Sequence, residues 1–593
     1  DHALSVKQRR PLPAGEQGCE LLFPVRTGIL VLLEKLVVLA ALASRIVPEW
    51  IMSAVTAKMM HESRKVVLRG EPGFLDRHIA KRGQMGARLN LNILGEAILG
   101  EEEASCRLVE NIKRLESSEC DYISVKISSI FSQVSVLAFE DTLEKVKEPL
   151  RTLYRAAQGN PVRGRSKFVN LDMEEYRDLH LTCRAFMEVL SEDEFFDLEA
   201  GIVLQAYLPD SFELQKSLTK WASLRRSRGG GRIKLRIVKG ANLAMEKVEA
   251  AAHGWEQAPY GCKNEVDANF KRMLHYACEK KRAHAVRVGV GSHNLFDVSY
   301  ALLLREREDV RGEVEIEMLE GMANHQARAV EKAGGSLLFY APVVLRENFH
   351  SAIAYLVRRL DENTAPQNFL HDLFGMRLGD EKWEEQKEKF LRACAMKDEV
   401  SALPTRKQNR RVVSRESAST AFCNEPDTDW TLGVNREWIE GIRHEAEIPE
   451  TIGIQVAGTV RYPSERQESH DPCKPDGSLY RFCLAGEKDV EQALEVAAQS
   501  VENREASGDF SSPDLFVRIS LELAGQRGSL IATMLRDAGK SVAESDAEVS
   551  EAIDFARYYA EGLSQIGTGN GTEHSPLGVV VVAPPWNFPL AIA

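Results

Sequence analysis

Between residues 88 and 340, short runs of apolar and β-branched residues alternate with longer amphipathic stretches. The short runs favour buried β-strands, and apolar residues that recur every three to four positions favour helices. The predicted strands are Arg88–Leu94, Tyr122–Ser129, Phe168–Asp172, Ile202–Tyr207, Ile233–Val238, His284–Val290, Val314–Met318 and Ser336–Tyr340. Helical patterns, for example Glu174–Leu190 and Glu246–Ala252, separate them.

Strand–helix alternation repeated in this way predicts an α/β protein with a closed (β/α)8 barrel. The region from Arg88 to Phe369 has about the length of such a barrel, for which ~250 residues is typical. A doubly wound open sheet stays open as an alternative, although no Gly-x-Gly-x-x-Gly follows the first strand.

The last strand leads into a helix that must end before Pro366. Its apolar stripe is predicted to comprise Phe349, Ile353, Leu356, Val357 and Leu360. Arg358, Arg359 and Glu362 fall on the other side, where an ordinary solvated face is the simplest interpretation. Two adjacent guanidinium groups can also clamp a carboxylate, and a carboxylate one turn later can receive an ammonium. The pattern therefore also suits the two charged ends of an amino acid.

Polar residues lie at or just after the carboxyl ends of the predicted strands, where barrels carry their chemistry. They are Glu96, Lys126, Asp172, Gln205, Arg236, Lys239, Asn242, His293, Asn294 and Tyr340. Each has a structural explanation when taken alone: Asp172 could cap a helix, for example, and His293 could be a core histidine. Their convergence on one mouth nevertheless predicts a functional pocket there.

The remaining chain suggests an N-terminal helical arm at 1–86, the barrel at 87–372, a linker at 373–421 and a second domain at 422–593. The apolar segment 29–47 is interrupted by Glu34 and Lys35, which argues against a membrane-spanning helix. The Arg-rich run at 225–228 is interpreted as a solvated loop. In the second domain we predict a strand at Ile452–Val460, helices at Val490–Val501, Leu515–Asp537 and Ala547–Ala560, and a terminal apolar strand. We expect this domain to be incomplete.

The composition argues against several classes of protein and of binding site. The net charge of −12 argues against a nucleic-acid-binding protein. The ten cysteines form no Cys-x-x-Cys pair, so neither a disulfide framework nor a metal site is indicated, and a reducing compartment fits best. No secretory signal is evident.

The motifs ISVKISS, FVNLD, VLQAY, RIVKGAN, GSHN, FYAPV and YLVRRLDEN resemble, in this order, those of the flavin-dependent proline dehydrogenase barrel. The segments FCNEPDTDW, DAGKSVAESDAEVSEAIDFARYYAEGL and PWNFP resemble the opening of an aldehyde dehydrogenase. The combination is characteristic of the bifunctional proline utilization family. Asn587 matches the oxyanion-hole asparagine of the second activity, whose NAD-binding fold and nucleophilic cysteine would lie beyond Ala593.

The resemblance implies FAD-dependent oxidation of L-proline to Δ1-pyrroline-5-carboxylate, with electrons passed to a quinone through peripheral contact of a cytoplasmic enzyme with the membrane. The second reaction, in which NAD oxidises glutamate semialdehyde, is implied only for a longer form of the chain. The resemblance also allows a homo-oligomer. By resemblance, the substrate-side residues are Lys126, Asp172, Asn242, Tyr340, Arg358, Arg359 and Glu362. The FAD contacts would be Gln205, Arg236, Val238, Gly240, Ala241, Lys263, Ser292, His293 and Asn294, with Arg236 near the flavin N5.

The sequence differs from other family members in two features, and two alternative functions stay open. Some family members carry Tyr where this chain has Asn242, and the DNA-binding ribbon–helix–helix of some members is not evident. A Schiff-base lyase or aldolase using Lys126 or Lys239 is the rival enzyme. A non-catalytic scaffold is the rival without chemistry.

Overall fold

A computed structural model describes residues 58, 61, 63, 64 and 66–592. Within the last range it leaves out residues 96–97, 99, 161–165, 323, 335–336, 365–367, 374–375, 413–421, 445–447, 508–512 and 567–576. The chain divides into a unit of residues 1–65 and a unit that begins at Val66, and the description below concerns the second. The apolar segment 29–47 and the candidate residue Glu96 lie outside the described residues.

The larger sheet is a closed parallel barrel, as the strand pattern predicted. Its strands are β1 (Leu68–Arg69), β2 (Arg88–Ile93), β3 (Tyr122–Val125), β4 (Phe168–Leu171), β5 (Ala200–Gln205), β6 (Ile233–Val238), β7 (Val286–Gly291), β8 (Val314–Leu319) and β9 (Leu337–Val344). Strands β2 to β9 pair in chain order, and β9 pairs with both β8 and β2, which closes the barrel. The short β1, which was not predicted, adds to β9 opposite Val343 and Val344.

Helices separate and cover these strands. In the barrel region they are α1 (Leu75–Gln84), α2 (Glu101–Glu116), α3 (Ile127–Ile130), α4 (Phe139–Gly159), α5 (Leu179–Leu190), α6 (Asp210–Ser227), α7 (Leu243–His253), α8 (Lys263–Cys278), α9 (Leu295–Arg307), α10 (Asn324–Gly334) and α11 (His350–Thr364). Short 3-10 turns occupy Tyr176–Asp178, Asp193–Phe195, Lys280–Arg282 and Arg346–Asn348.

Several predicted boundaries, and the loop expected at the Arg-rich run, differ from the structure. β3 ends at Val125 rather than Ser129, because Lys126 opens the short helix α3. β9 continues to Val344, since β1 and β2 both pair with its last residues. Most of the Arg-rich run lies in the last turn of α6, where residues 226–228 are exposed. Arg225 is buried, and its guanidinium donates to the carbonyls of Leu190, Phe195 and Leu198.

The two faces of the barrel sheet differ in polarity. One residue in two along each strand packs outward against the helices, as Ile123, Leu171 and Ile202 do. Many of the alternate positions are buried polar residues, among them Asn90, Asn170 and Lys234. Buried polar groups need partners, so these side chains form a network inside the barrel, for example Asn90 Nδ2 to Ser124 Oγ at 2.9 Å.

The segment after the barrel combines helices with two small sheets. It contains α12 (Phe369–Leu373), α13 (Glu381–Met396), α14 (Gly433–Ile442), α15 (Glu487–Ser507), α16 (Pro513–Gly525), α17 (Arg527–Asp537) and α18 (Val542–Ile566). Its strands are β10 (Thr451–Ile452), β11 (Ile454–Val456), β12 (Thr459–Arg461), β13 (Arg466–Asp471) and β14 (Lys474–Cys483). The charged part of the predicted linker is thus the helix α13, whose Asp380 caps Trp383 N at 2.8 Å.

Three predictions in this segment are wrong. The strand expected at Ile452–Val460 is divided, because residues 457 and 458 turn with positive φ and β11 pairs back with β12. The helix expected at Leu515–Asp537 breaks between Gly525 and Arg527. The apolar run at 579–582 is exposed and forms no strand within the described residues, since none of the described strands pairs with it.

Candidate active site

Asp172, directly after β4, lies close to Arg236 of β6 and to Tyr340 in the middle of β9. The Tyr340 hydroxyl donates to Asp172 Oδ2 at 2.7 Å, and Arg236 NH1 lies 3.4 Å from Asp172 Oδ1. The guanidinium of Arg236 also covers the Tyr340 ring at 4.4 Å. Burial and the Asp172 carboxylate raise the pKa of Tyr340 well above its usual value, so this hydroxyl stays a donor. The sequence predicted all three residues at the mouth.

A second cluster at the mouth is centred on Glu174. Lys126 Nζ lies 2.7 Å from Glu174 Oε1, and Arg358 NH1 lies 3.9 Å from the same oxygen. The Glu174 carbonyl accepts from Gln205 Nε2 and Asn242 Nδ2, each at 3.3 Å. Sequence reasoning missed Glu174, although its place two residues after Asp172 could have marked it as part of the same strand end.

Helix α11 turns its arginines toward this mouth. The contact between Arg358 and Glu174 fixes that orientation, and the Arg359 guanidinium covers the Tyr355 ring at 5.1 Å. Ile353 and Val357 are therefore 37% and 49% exposed, so the predicted apolar stripe is not buried along its whole length. Glu362 lies in α11, but its side chain is outside the described part of the chain.

Two buried polar atoms at the mouth, Gln205 Oε1 and His293 Nδ1, have no hydrogen-bond partner among the described residues. His293 Nε2 accepts from Leu319 N at 2.9 Å, which leaves Nδ1 as the protonated nitrogen of the neutral ring. Burial, together with the nearby charge of Arg359, lowers the pKa of His293 to about 4. The neutral ring thus offers a donor and Gln205 an acceptor.

The remaining predicted cofactor residues surround the ends of β6 and β7. Gly240 has φ +127°, and a Cβ there would lie 2.5 Å from the Tyr207 ring, so no side chain fits. The adjacent Ala241 is exposed, and Val238 is half-buried. Ser292 Oγ accepts from Asn294 N at 3.1 Å, and Asn294 Oδ1 caps α9 by accepting from Phe296 N at 2.9 Å.

Lys239 and Lys263 belong to a charge network around the buried Asp267 and Asp297. Lys239 Nζ lies 2.5 Å from Asp267 Oδ1 and 2.7 Å from Asp297 Oδ2, and Lys263 Nζ donates to Asp267 at 2.8 Å. Burial would lower the pKa of Lys239, but the two aspartates outweigh it and raise the pKa. Burial and the charge of Lys239 lower the pKa of Lys263. A firmly protonated, doubly paired amine is a poor Schiff-base nucleophile, which weighs against the lyase alternative on Lys239.

The described residues contain no group of three or more His, Cys, Asp or Glu residues that could hold a metal ion. Nor do they contain a helix long and apolar enough to cross a membrane.

The sequence profile of the family described as "Proline dehydrogenase" matches residues 75–372, which include every strand that closes the barrel. The chain belongs to the proline dehydrogenase family. The profile of the aldehyde dehydrogenase family matches residues 460–593, after the barrel. The two matches occur in the order that the sequence motifs predicted.

Several known proteins are similar to this chain. The bifunctional protein PutA of Klebsiella aerogenes is 25% identical, over 86% of this chain and 39% of its own length. The structure of proline utilization A from Corynebacterium freiburgense is 37% identical, with a TM-score of 0.72 over 90% of this chain and 48% of that one. The protein from Bdellovibrio bacteriovorus, inactivated by N-propargylglycine, is 26% identical, with a TM-score of 0.78 over 93% and 58%. The chain thus spans about two fifths of the curated relative's length.

Proposed function

We propose that the barrel oxidises L-proline to Δ1-pyrroline-5-carboxylate with FAD and that a quinone takes up the electrons. The observation that carries this proposal is the meeting, in one mouth, of the Asp172–Arg236–Tyr340 cluster with the Lys126–Glu174–Arg358 cluster. A mouth with several cations and a buried Asp–Tyr pair suits a small zwitterion beside a group that gains negative charge.

The residues of the mouth suit FAD. The flavin ring carries both hydrogen-bond donors and acceptors, which match the unpartnered acceptor Gln205 Oε1 and donor His293 Nδ1. Gly240 lets the Tyr207 ring pack directly against the backbone at the end of β6, where any side chain would displace that ring. Val238, Ala241, Lys263, Ser292 and Asn294 complete the proposed set. When bound, FAD would supply the hydride acceptor.

The chain's own residues would bind and orient the substrate. Arg358 and Arg359 would hold the carboxylate, and Glu362 would receive the amine. Lys126 and Asn242 would line the space around the ring, and the hydrogen bond between Asp172 and Tyr340 would fix the tyrosine beside it. Arg236 would stabilise the negative charge that develops on the cofactor, because a buried guanidinium is not screened by water.

We extend the proposal to organisation and location from the resemblance alone. The domains would be a barrel at 87–372 and an aldehyde dehydrogenase part at 422–593, joined through 373–421, with the arm at 1–86. NAD would serve a second site in a longer form. The enzyme would work in the cytoplasm, in peripheral contact with the membrane that holds the quinone, without nucleic acid and with homo-oligomers allowed.

The test is to purify the chain, load it with FAD and add L-proline without oxygen. We expect a visible flavin band that L-proline bleaches and a quinone restores. The matched control is Arg358→Met/Arg359→Met, which should keep the flavin but require far more proline for bleaching. Failure to take up FAD, or a flavin that proline does not bleach, would refute the proposal. Covalent trapping of a substrate carbonyl on Lys126 by borohydride would instead support the lyase.

A further inference from the structure

Glu317 is a buried carboxylate that the proposed reaction does not use. It lies on β8 and is 1% exposed. Its Oε2 atom lies 3.0 Å from Arg236 Nε, and its Oε1 atom lies 2.7 Å from Lys234 Nζ, so it stands between two cations of β6. Lys234 is equally buried, at 1% exposed.

Strand β7 lies between β6 and β8, and its glycines make this contact possible. A Cβ on Gly289 would lie 2.1 Å from Glu317 Oε1 and 2.9 Å from Lys234 Cε. The side chains of the two flanking strands therefore meet across β7 in the space that a side chain there would fill. The sequence VRVGVG of β7 leaves this space, while Val288 and Val290 pack into the hydrophobic core.

The contact is part of an array of alternating charges inside the barrel. Arg88 lies 3.4 Å from Glu315, and Glu315 lies 2.7 Å from Lys234. Lys234 continues to Glu317, Glu317 to Arg236, and Arg236 to Asp172. Each interior charge thus has an opposite charge on either side, as burial in a low dielectric requires. The array ends at the mouth, where Asp172 accepts from Tyr340.

We propose that Glu317 is a positioning residue, which orients the Arg236 guanidinium toward the flavin site. Its negative charge also reduces the positive potential that Arg236 produces there, and the positive charge of Lys234 partly offsets this reduction. The inference rests on the proposed function, because it concerns the cofactor that Arg236 would face. Nothing else on β8 contacts the Arg236 guanidinium among the described hydrogen bonds and ion pairs.

Two substitutions should move the reduction potential of bound FAD in opposite directions. Glu317→Gln keeps the shape of the side chain but removes a negative charge beside Arg236. The flavin gains negative charge on reduction, so its midpoint potential should rise. Lys234→Met removes the cation that balances Glu317, so the same potential should fall. A purely structural role would not produce shifts of opposite sign.

The experiment measures the midpoint potential of FAD bound to the full chain by equilibration with redox dyes, together with FAD content and the visible spectrum. We expect Glu317→Gln to change the two-electron equilibrium constant at least tenfold, about 30 mV. The matched control is Glu315→Gln, because Glu315 also pairs with Lys234 but has no ion pair with Arg236 among the described residues. Its shift should be clearly smaller.

The outcomes separate this inference from the proposed function. If the wild-type chain takes up no FAD, the proposed function fails. If it does, and Glu317→Gln leaves the potential unchanged or Glu315→Gln moves it equally, the role of Glu317 is refuted. If Glu317→Gln does not fold, Lys234→Met decides alone: a lower potential supports the inference, and an unchanged or higher one overturns it.

Discussion

Arg358 and Arg359 are neighbours in sequence but have different surroundings. Arg358 shares the Glu174 carboxylate with Lys126, whereas Arg359 covers Tyr355 and influences His293. If both hold the substrate carboxylate in the ground state and the transition state alike, shortening one of them should weaken binding without slowing chemistry.

We therefore expect Arg359→Lys to raise KM for proline while kcat changes little. Loss of one bidentate charge-assisted contact is worth on the order of 2–3 kcal/mol, or about 30- to 150-fold. Steady-state kinetics with a dye acceptor measures it, and Arg358→Lys is the companion variant. An unchanged KM in both variants would exclude the assignment of these arginines to the carboxylate.

The buried His293 at the mouth should make the free energy of unfolding decrease at low pH. Its pKa is lowered from 6.5 to about 4 by burial and by Arg359, so the folded state favours the neutral ring. This contribution is fully present above pH 6.5 and is lost as the pH falls toward 4, because the unfolded chain then binds a proton that the folded chain does not. Between pH 8 and pH 5 we expect a loss of about 2 kcal/mol from this group.

Urea unfolding of the FAD-free chain at pH 8 and pH 5 measures this loss. His293→Gln is the control, because its amide oxygen can still accept from Leu319 N but does not titrate. The variant should lose about 2 kcal/mol less than the wild type over this interval. Equal losses in both proteins would show that His293 is not the group responsible.

The sequence predicted those mouth residues whose position follows from topology. Asp172 directly follows β4 and Arg236 lies near the end of β6, and such strand ends share one mouth whatever the exact register. Tyr340 ends the strand that the sequence predicted, although β9 itself continues to Val344. Glu317 and Lys234 were not predicted, because their partners are on other strands and their inward direction depends on register. Apolar and charged residues alternate along β6 and β8, and this pattern alone does not show that the side chains of Lys234 and Glu317 are buried.

At the scale of elements, strand order and barrel closure were predictable, but strand ends were not. The apolar pattern continues past Val125, yet the chain turns into α3 there. Conversely, β9 extends to Val344 because the unpredicted β1 pairs with its end. In both cases tertiary pairing, which a local pattern does not contain, decides where the strand stops.

The inner face of β7 offers an element-scale prediction. Gly289→Ala would place a methyl group 2.1 Å from Glu317 Oε1 and 2.9 Å from Lys234 Cε, so at least one buried charge must leave its partner. Breaking a buried ion pair costs about 3–5 kcal/mol of unfolding free energy. Gly312→Ala is the control, because a Cβ there meets nothing within 4 Å, and it should change stability by less than about 0.5 kcal/mol. Equal stabilities in denaturant unfolding would contradict this account of Gly289.

At the scale of the whole molecule, the barrel and the segment after it are joined by polar contacts. Trp255 Nε1 donates to the Asp427 carbonyl at 2.7 Å, and His253 Nδ1 lies 2.9 Å from the Asp427 carboxylate. Arg406 lies 3.6 Å from Asp429, beside a cavity of about 580 Å³ that Trp255 also lines. None of the residues that line this cavity is among the predicted site residues, so we assign the chemistry to the mouth.

The two parts also differ in the hydrophobic core that each has. The barrel core runs through every strand from β1 to β9 and the helices around them. The later segment has a smaller cluster around Ile439, Ile531, Val549 and Ile553. Several of its large apolar side chains stay exposed, Val581 and Trp586 by more than 80%. Because buried apolar area drives folding, the later segment should be the less stable part.

We therefore expect unfolding in two steps, with residues 422–592 first and the barrel second. Ile531→Ala and Ile202→Ala are a matched pair, since both isoleucines are 0% exposed, one in each core. Each should cost about 2–5 kcal/mol, but Ile531→Ala should lower only the first calorimetric transition and Ile202→Ala chiefly the second. Limited proteolysis should accordingly cut beyond Arg410 before it cuts inside the barrel. A single transition that both variants lower equally, or early cleavage within β2 to β9, would mean that the two cores unfold as one.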